Sequence, residues 1–171
     1  MDINYIGENL LPGKIGQFFV ILSFGAALFS LISYFFATKN PDEKSWKKMG
    51  RIGFILNAIS VVTIGSLLFY MIYNHMFEYY YVWSHSDTTL PTHFIISSFW
   101  EGQEGSFWLW MFWQMVIGIV LLFRAKSWEA PVMTFVMLCQ TFLASMLIGV
   151  EILGSRIGSS PFILLRDAMD V

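Results

Sequence analysis

Residues 15–38 read IGQFFVILSFGAALFSLISYFFAT, 24 positions without a charge between Lys14 and Lys39. A bilayer's hydrocarbon core is about 30 Å thick, and a helix rising about 1.5 Å per residue crosses it in roughly 20 residues. The signature recurs in residues 52–77, 105–123 and 130–150, which are uncharged over 26, 19 and 21 positions. Only a helix satisfies its own backbone polar groups in lipid, and the period-two alternation of a barrel strand is absent. The sequence therefore predicts an all-α integral membrane protein with four transmembrane helices, at about 15–38, 52–74, 106–123 and 130–151.

Composition agrees. Of 171 residues, 56% are apolar and only 13% charged, and the mean hydropathy is +0.61. A soluble domain carries about 25% charged residues, so a soluble enzyme, a disordered chain and a collagen-like repeat are excluded. The net charge of −2 offers no basic field for nucleic acid. No internal repeat or linker divides the chain, which reads as one membrane domain over 1–171. The first span is not a signal peptide. It exceeds the usual apolar core of about 7–15 residues, and its basic residues follow it (Lys39, Lys44, Lys47, Lys48, Arg51) rather than precede it.

The same charges predict orientation. The loop Lys39–Arg51 holds five basic residues and the turn Arg124–Glu129 adds two, against Lys14, Arg156 and Arg166 on the other side. The positive-inside rule puts the seven in the cytoplasm. Both termini and a loop at about 75–105 then face outward. Asn40-Pro41-Asp42-Glu43 is turn chemistry that stops a helix, and the lysines beside it suit anionic lipid headgroups. Arg124–Glu129 is a tight turn ahead of Pro131, a residue suited to begin a helix.

The outer loop is unusual. Between Tyr73 and Trp113 stand 14 aromatics in 41 residues, about twice the chain's 18% average. An interfacial belt accounts for Trp and Tyr at headgroup depth, but the cytoplasmic side has little beyond Trp46 and Trp128. A platform for a flat apolar ligand is the competing account, because aromatic side chains bury large areas with few rotatable bonds. Within the loop, FWEGQEGSFWLW (99–110) packs two glycines and two carboxylates among its aromatics. Glycines three apart permit close backbone approaches. Ser106 is placed to cap the third long helix with Gly105 in the turn before it, and Glu101 and Glu104 lie near that helix's positive end.

FWEGQEGSFWLW, with YVWSHSDTTLP upstream, resembles the amino-terminal part of the CcmF-type haem lyases of cytochrome c maturation, which are related more distantly to CcsA-type proteins. The resemblance extends to Glu151-Ile152-Leu153-Gly154-Ser155 and to Ser160-Pro161-Phe162. Trp108 departs from the leucine more usual in the family. The resemblance implies a multi-pass protein of the bacterial inner membrane, its loop in the periplasm, that handles b-type haem and helps attach it to apocytochrome c. It implies as partners a haem chaperone, thiol-reducing maturation proteins and the remainder of the lyase. In the family, haem is held by histidines beside a Trp-rich segment beyond where this chain stops. The chain is therefore expected to be the amino-terminal portion of a larger lyase, as a truncated piece or one product of a split gene, incomplete as an enzyme by itself. The expected haem and apocytochrome surface is Trp83, Trp100, Glu101, Gly102, Glu104, Gly105, Trp108 and Trp110.

The histidines are ambiguous. His75, His85 and His93 lack the three- or four-residue spacing that puts two ligands on one helix face. Each is accounted for as an ordinary interfacial or loop histidine, and His85, in Trp83-Ser84-His85-Ser86-Asp87, comes nearest to a haem contact. Cys139 falls in the fourth long helix and reads as a small apolar residue. Glu78 and Glu151 read as markers of the outer helix ends, the methionines as packing filler, and Gly154–Gly158 as a close helix approach or an exposed turn. Asn57, Gln140 and Thr141 are placed for interhelical hydrogen bonds. A non-catalytic four-helix scaffold that docks other assembly proteins is the alternative function.

Overall fold

Asn9 opens the first helix: its side chain accepts from the Leu11 N–H at 3.3 Å, with Pro12 in the first turn, where its missing N–H costs nothing. The computed structural model describes residues 7–89, 91–152 and 155–169. Helix α1 is Leu10–Lys39, α2 Lys44–Tyr73, α3 Tyr80–His85, α4 Thr92–Ser98, α5 Gln103–Arg124 and α6 Glu129–Ile148. A two-stranded antiparallel hairpin follows, β1 Val150–Ile152 and β2 Ser155–Ile157, then α7 Leu165–Met169. Four helices, α1, α2, α5 and α6 with the turn before it, are long and apolar enough to cross a membrane.

The expected spans differ from these helices at their ends, for identifiable reasons. Charge-free stretches mark hydrocarbon, whereas helices run on into the headgroups. Lys44–Arg51, read from sequence as loop, forms the first two turns of α2, so that the turn between α1 and α2 is only residues 40–43. The third long helix begins at Gln103 with Gly102 as its cap, not at Ser106, which lies inside the first turn and donates to the Trp100 carbonyl at 3.0 Å. The last span stops at Ile148, because Gly149 takes a φ of 78° and the chain turns into β1. Glu151 thus lies on a strand rather than a helix end. Leu153 and Gly154 of the family-like run lie outside the described residues.

α1 packs most extensively on α2 and on α6, and α5 on α6. The α1 face turned inward is small: Ser23, Ala26, Ala27, Ser30, Ser33 and Ala37 are buried. Small residues let backbones approach where lipid supplies no hydrophobic drive between helices. Ser30 donates to the Gly50 carbonyl at 2.8 Å, and Tyr34 lies flat where a side chain at Gly50 would stand. Methionines fill the centre, Met71, Met111, Met133 and Met137 all being fully buried.

Polar side chains join the bundle in two places. At mid-depth, Asn57 donates to the Ser23 carbonyl (2.9 Å) and hydroxyl (3.0 Å), and Gln140 donates to Asn57 Oδ1 at 3.0 Å. Thr141 instead bonds the Met137 carbonyl of its own helix, the usual way for a threonine to satisfy itself in an apolar span. Near the short turns, Glu129 is buried and gripped by Arg51 through two 2.7 Å bonds and by Lys47 at 2.8 Å.

The chain after α6 returns over the opposite end. Tyr80 N–H donates to Ile163 O at 3.0 Å and Leu165 N–H to Glu78 O at 2.8 Å, while Tyr79 accepts from Gly13 N–H at 2.9 Å and donates to Asn9 O at 2.7 Å. With Ser160 donating to Gln17 Oε1 at 2.6 Å, residues 160–165 are fixed both to α1 and to the start of α3, which makes the loop end a built surface.

Candidate functional site

The segment between α2 and α5, expected as a loop, is organised by Tyr81. Its buried hydroxyl donates to Phe99 O at 2.8 Å, tying α3 to the end of α4. Burial pushes this phenol well above the ordinary tyrosine value, against the pull of the Gly102 and Gly105 N–H groups. Both glycines are required by this packing. A β-carbon on Gly102 would stand 2.6 Å from the Tyr81 ring and 2.8 Å from His85 Nε2, and one on Gly105 would collide with the Phe99 carbonyl and the Tyr81 hydroxyl. The Gly-x-x-Gly pair therefore seats the start of α5 directly on α3 and α4.

His85 is held by the same elements. Its ring stacks on Tyr81 at 4.5 Å, and Nδ1 lies 3.0 Å from Tyr81 O and 2.8 Å from Ser84 Oγ. The carbonyl only accepts, so Nδ1 donates to it, and in the neutral ring Nε2 is the acceptor nitrogen. Gly102 leaves the space beside Nε2 clear. His75 Nδ1 likewise lies 3.2 Å from a carbonyl, Tyr73 O, but its ring stands edge-on to Phe77 and lines neither depression, and His93 is exposed beside Phe94. No cluster of three metal-ligating side chains forms among the described residues.

Two depressions meet at Trp100. A polar cleft of about 640 Å³ is lined by Ser84, His85, Ser86, Asp87, Phe94, Ser97, Ser98, Trp100 and Glu101. Asp87 accepts from the Thr89 N–H at 3.0 Å, which holds its carboxyl below the usual range. On the other side of Trp100 an apolar groove of about 420 Å³ runs between α2 and α5, lined by Val62, Gly65, Phe69, Ile96, Phe99, Trp108 and Phe112 among others. Trp108 forms its floor: the indole N–H donates to Val61 O at 2.7 Å, and the ring lies over Gly65 and stacks on Phe112 at 5.4 Å.

Of the residues expected at the surface, the structure brings together Trp100, Glu101, Gly102, Gly105 and Trp108. The others point elsewhere. Glu104 accepts from Ser159 and so anchors the returning chain. Trp110, two residues after Trp108, projects from another face of α5 into a groove with Leu138 and Phe142. Trp83 is half-exposed against Tyr80. Sequence reasoning missed Tyr81, whose only signal was a place in a run of three tyrosines, and the serines of α4 that line the cleft. It also missed Glu129, whose signal was a lone acid opening a helix in a chain with a basic stripe on another.

Four membrane-length helices joined by polar contacts, with an aromatic ridge at one end, define a polytopic helical membrane protein. No protein-family profile matches the chain. The cytochrome c-type biogenesis protein NrfE of Haemophilus influenzae is 33% identical to it over 107 residues, 60% of this chain and 16% of NrfE. The solved cytochrome c haem lyase CcmF superposes with a TM-score of 0.75 at 17% identity, covering 92% of this chain and 26% of that one. Together they bear out the resemblance to CcmF-type cytochrome c biogenesis proteins carried by residues 99–110. The chain spans about a sixth of the length of the curated relative and about a quarter of the solved one.

Proposed function

We propose that this chain forms one wall of the haem and apocytochrome surface of a membrane haem lyase, with Trp100 at its centre. The observation that carries this reading is the position of Trp100 as the shared wall of an apolar groove and a polar, acidic cleft. A flat porphyrin has an apolar face that suits the Trp108–Phe112 side. The cleft carries Asp87 and Glu101, and the sequence has no lysine or arginine from residue 52 to 123. It therefore disfavours haem propionates and favours a cationic peptide segment. In this reading Trp100, Trp108 and Phe112 would hold the ring, and the cleft would admit the apocytochrome. His85 lines the cleft and not the groove, so its Nε2 would be available to the iron of a haem seated over Trp100, the wall the two share. Haem supplies the vinyl groups that become thioethers. The chain's own residues orient it, and the remainder of the lyase completes the ligand set.

The orientation belongs to the same proposal. Both termini and the Trp100 ridge face the periplasm of a bacterial inner membrane, and the basic turns around Lys44–Arg51 and Arg124–Lys126 face the cytoplasm. A haem chaperone and thiol-reducing maturation proteins then act on the ridge side. The test is Trp100→Ala with Glu101→Gln in the intact assembly. Holocytochrome c is expected to fall at least tenfold with membrane insertion unchanged, while Trp128→Ala, at the other end of the bundle, has no effect. Normal maturation in the double variant would overturn the proposal and leave the four-helix scaffold as the function.

A further inference from the structure

α5 is the least buried of the four membrane-length helices. On it, Trp110, Trp113, Gln114 and Ile117 fall at the i, i+3, i+4 and i+7 positions of one face and, with Leu138 and Phe142 of α6, line a groove of about 610 Å³. This is the spacing by which a helix presents a continuous stripe to a neighbouring helix. Gln114 stands near the middle of the 22-residue α5, about 15 Å from either end. The other mid-depth amides, Asn57 and Gln140, are turned inward and hydrogen-bonded. The Gln114 amide has no hydrogen-bond partner among the described residues.

A primary amide facing hydrocarbon loses its water bonds and gains nothing. An acyl chain in the groove does not change that, since it has no donor or acceptor. A helix with a polar side chain at the same depth does. We propose that this groove seats a further transmembrane helix, supplied by the part of the lyase that this chain does not span, with a hydrogen-bonding side chain opposite Gln114. The identity of the occupant rests on the haem-lyase reading. This chain covers 26% of the CcmF chain whose fold it shares, so roughly three-quarters of a polypeptide of that size lies outside it. Trp110 and Trp113 add large, rigid contact area to the seat. Trp110 is thereby assigned to assembly rather than to the haem surface.

The test places a photoreactive benzoylphenylalanine at Leu138 in membranes that hold the complete maturation machinery. Irradiation followed by mass spectrometry of the adduct is expected to find an apolar segment of about 20 residues from the lyase remainder, with a polar residue near its middle. Gln114→Leu, on an exposed face where folding is not at stake, is expected to cut the adduct about three- to fifteen-fold. Cys139, the sole cysteine, lines the same groove. Its reaction with a membrane-permeant maleimide is expected to slow on assembly and to recover in Gln114→Leu. Adducts with lipid alone, adducts with a second copy of this chain, or a yield indifferent to Gln114→Leu would each overturn the proposal. Holocytochrome c in the same cells is a separate readout, so normal maturation in the Trp100 variant overturns the haem reading without altering the crosslink.

Discussion

Removing Arg51 is predicted to destabilise the bundle more than removing the carboxylate it holds. Glu129 is only 2% exposed at its side chain, whereas Arg51 is 50% exposed. Arg51→Gln deletes two charge-assisted bonds of 2.7 Å and leaves a buried carboxylate with Lys47 at 2.8 Å and the Tyr34 hydroxyl at 3.5 Å. Such bonds are worth about 1.5–3 kcal/mol each when shielded. With Arg51 half in water that figure is discounted to about 2–3 kcal/mol in total. Glu129→Gln removes the buried charge, keeps one acceptor oxygen, and lets Arg51 and Lys47 turn back to water. Its cost is about 1 kcal/mol. The double variant is expected to fall short of the sum by about 1–2 kcal/mol, because without Arg51 the charge at position 129 is a liability. Unfolding by sodium dodecyl sulfate in mixed micelles, followed by far-ultraviolet circular dichroism, measures all three. Glu129→Gln costing as much as Arg51→Gln, or strict additivity, would contradict this ordering.

Gly105→Ala forces α5 away from the Phe99 carbonyl and the Tyr81 hydroxyl, and is expected to cost about 1–3 kcal/mol in the same assay, with Gly25→Ala, which meets open space, as the neutral control. Tyr79 and Tyr81 are both pushed above the ordinary tyrosine value by burial. A raised pKa favours the neutral, folded form, so their contribution is complete below pH about 10 and is lost as pH rises beyond it. In absorbance at 295 nm, a late-ionising fraction should appear together with loss of structure and should shrink in Tyr79→Phe and in Tyr81→Phe. A single transition near pH 10 in a still-folded protein would contradict this.

The spans were legible because charge is excluded from hydrocarbon, and four uncharged stretches leave little choice of fold. Their ends were not, since Lys44, Lys47, Lys48 and Arg51 are compatible with helix once they reach headgroups, and only the packing of Arg51 and Lys47 on Glu129 shows that they are helical. Asn57 and Gln140 were readable as interhelical contacts because an amide in an apolar run has few other uses. The aromatic stretch was readable as a unit but not as a surface. Helical rotation sends Trp108 to one groove and Trp110 to another, and the position of Tyr81 against two glycines depends on how α3 and α4 fold back. Pairing of that kind leaves no mark in spacing along the chain.

The most direct test is a titration of the purified complete lyase that contains this chain with ferric haem, read in the Soret region for the wild type, Trp100→Ala and His85→Ala. A shifted Soret band is expected, with affinity falling about tenfold in Trp100→Ala and the band displaced in His85→Ala but not in His75→Ala or His93→Ala. A Soret band unmoved by the protein, or one moved equally by every variant, would contradict it.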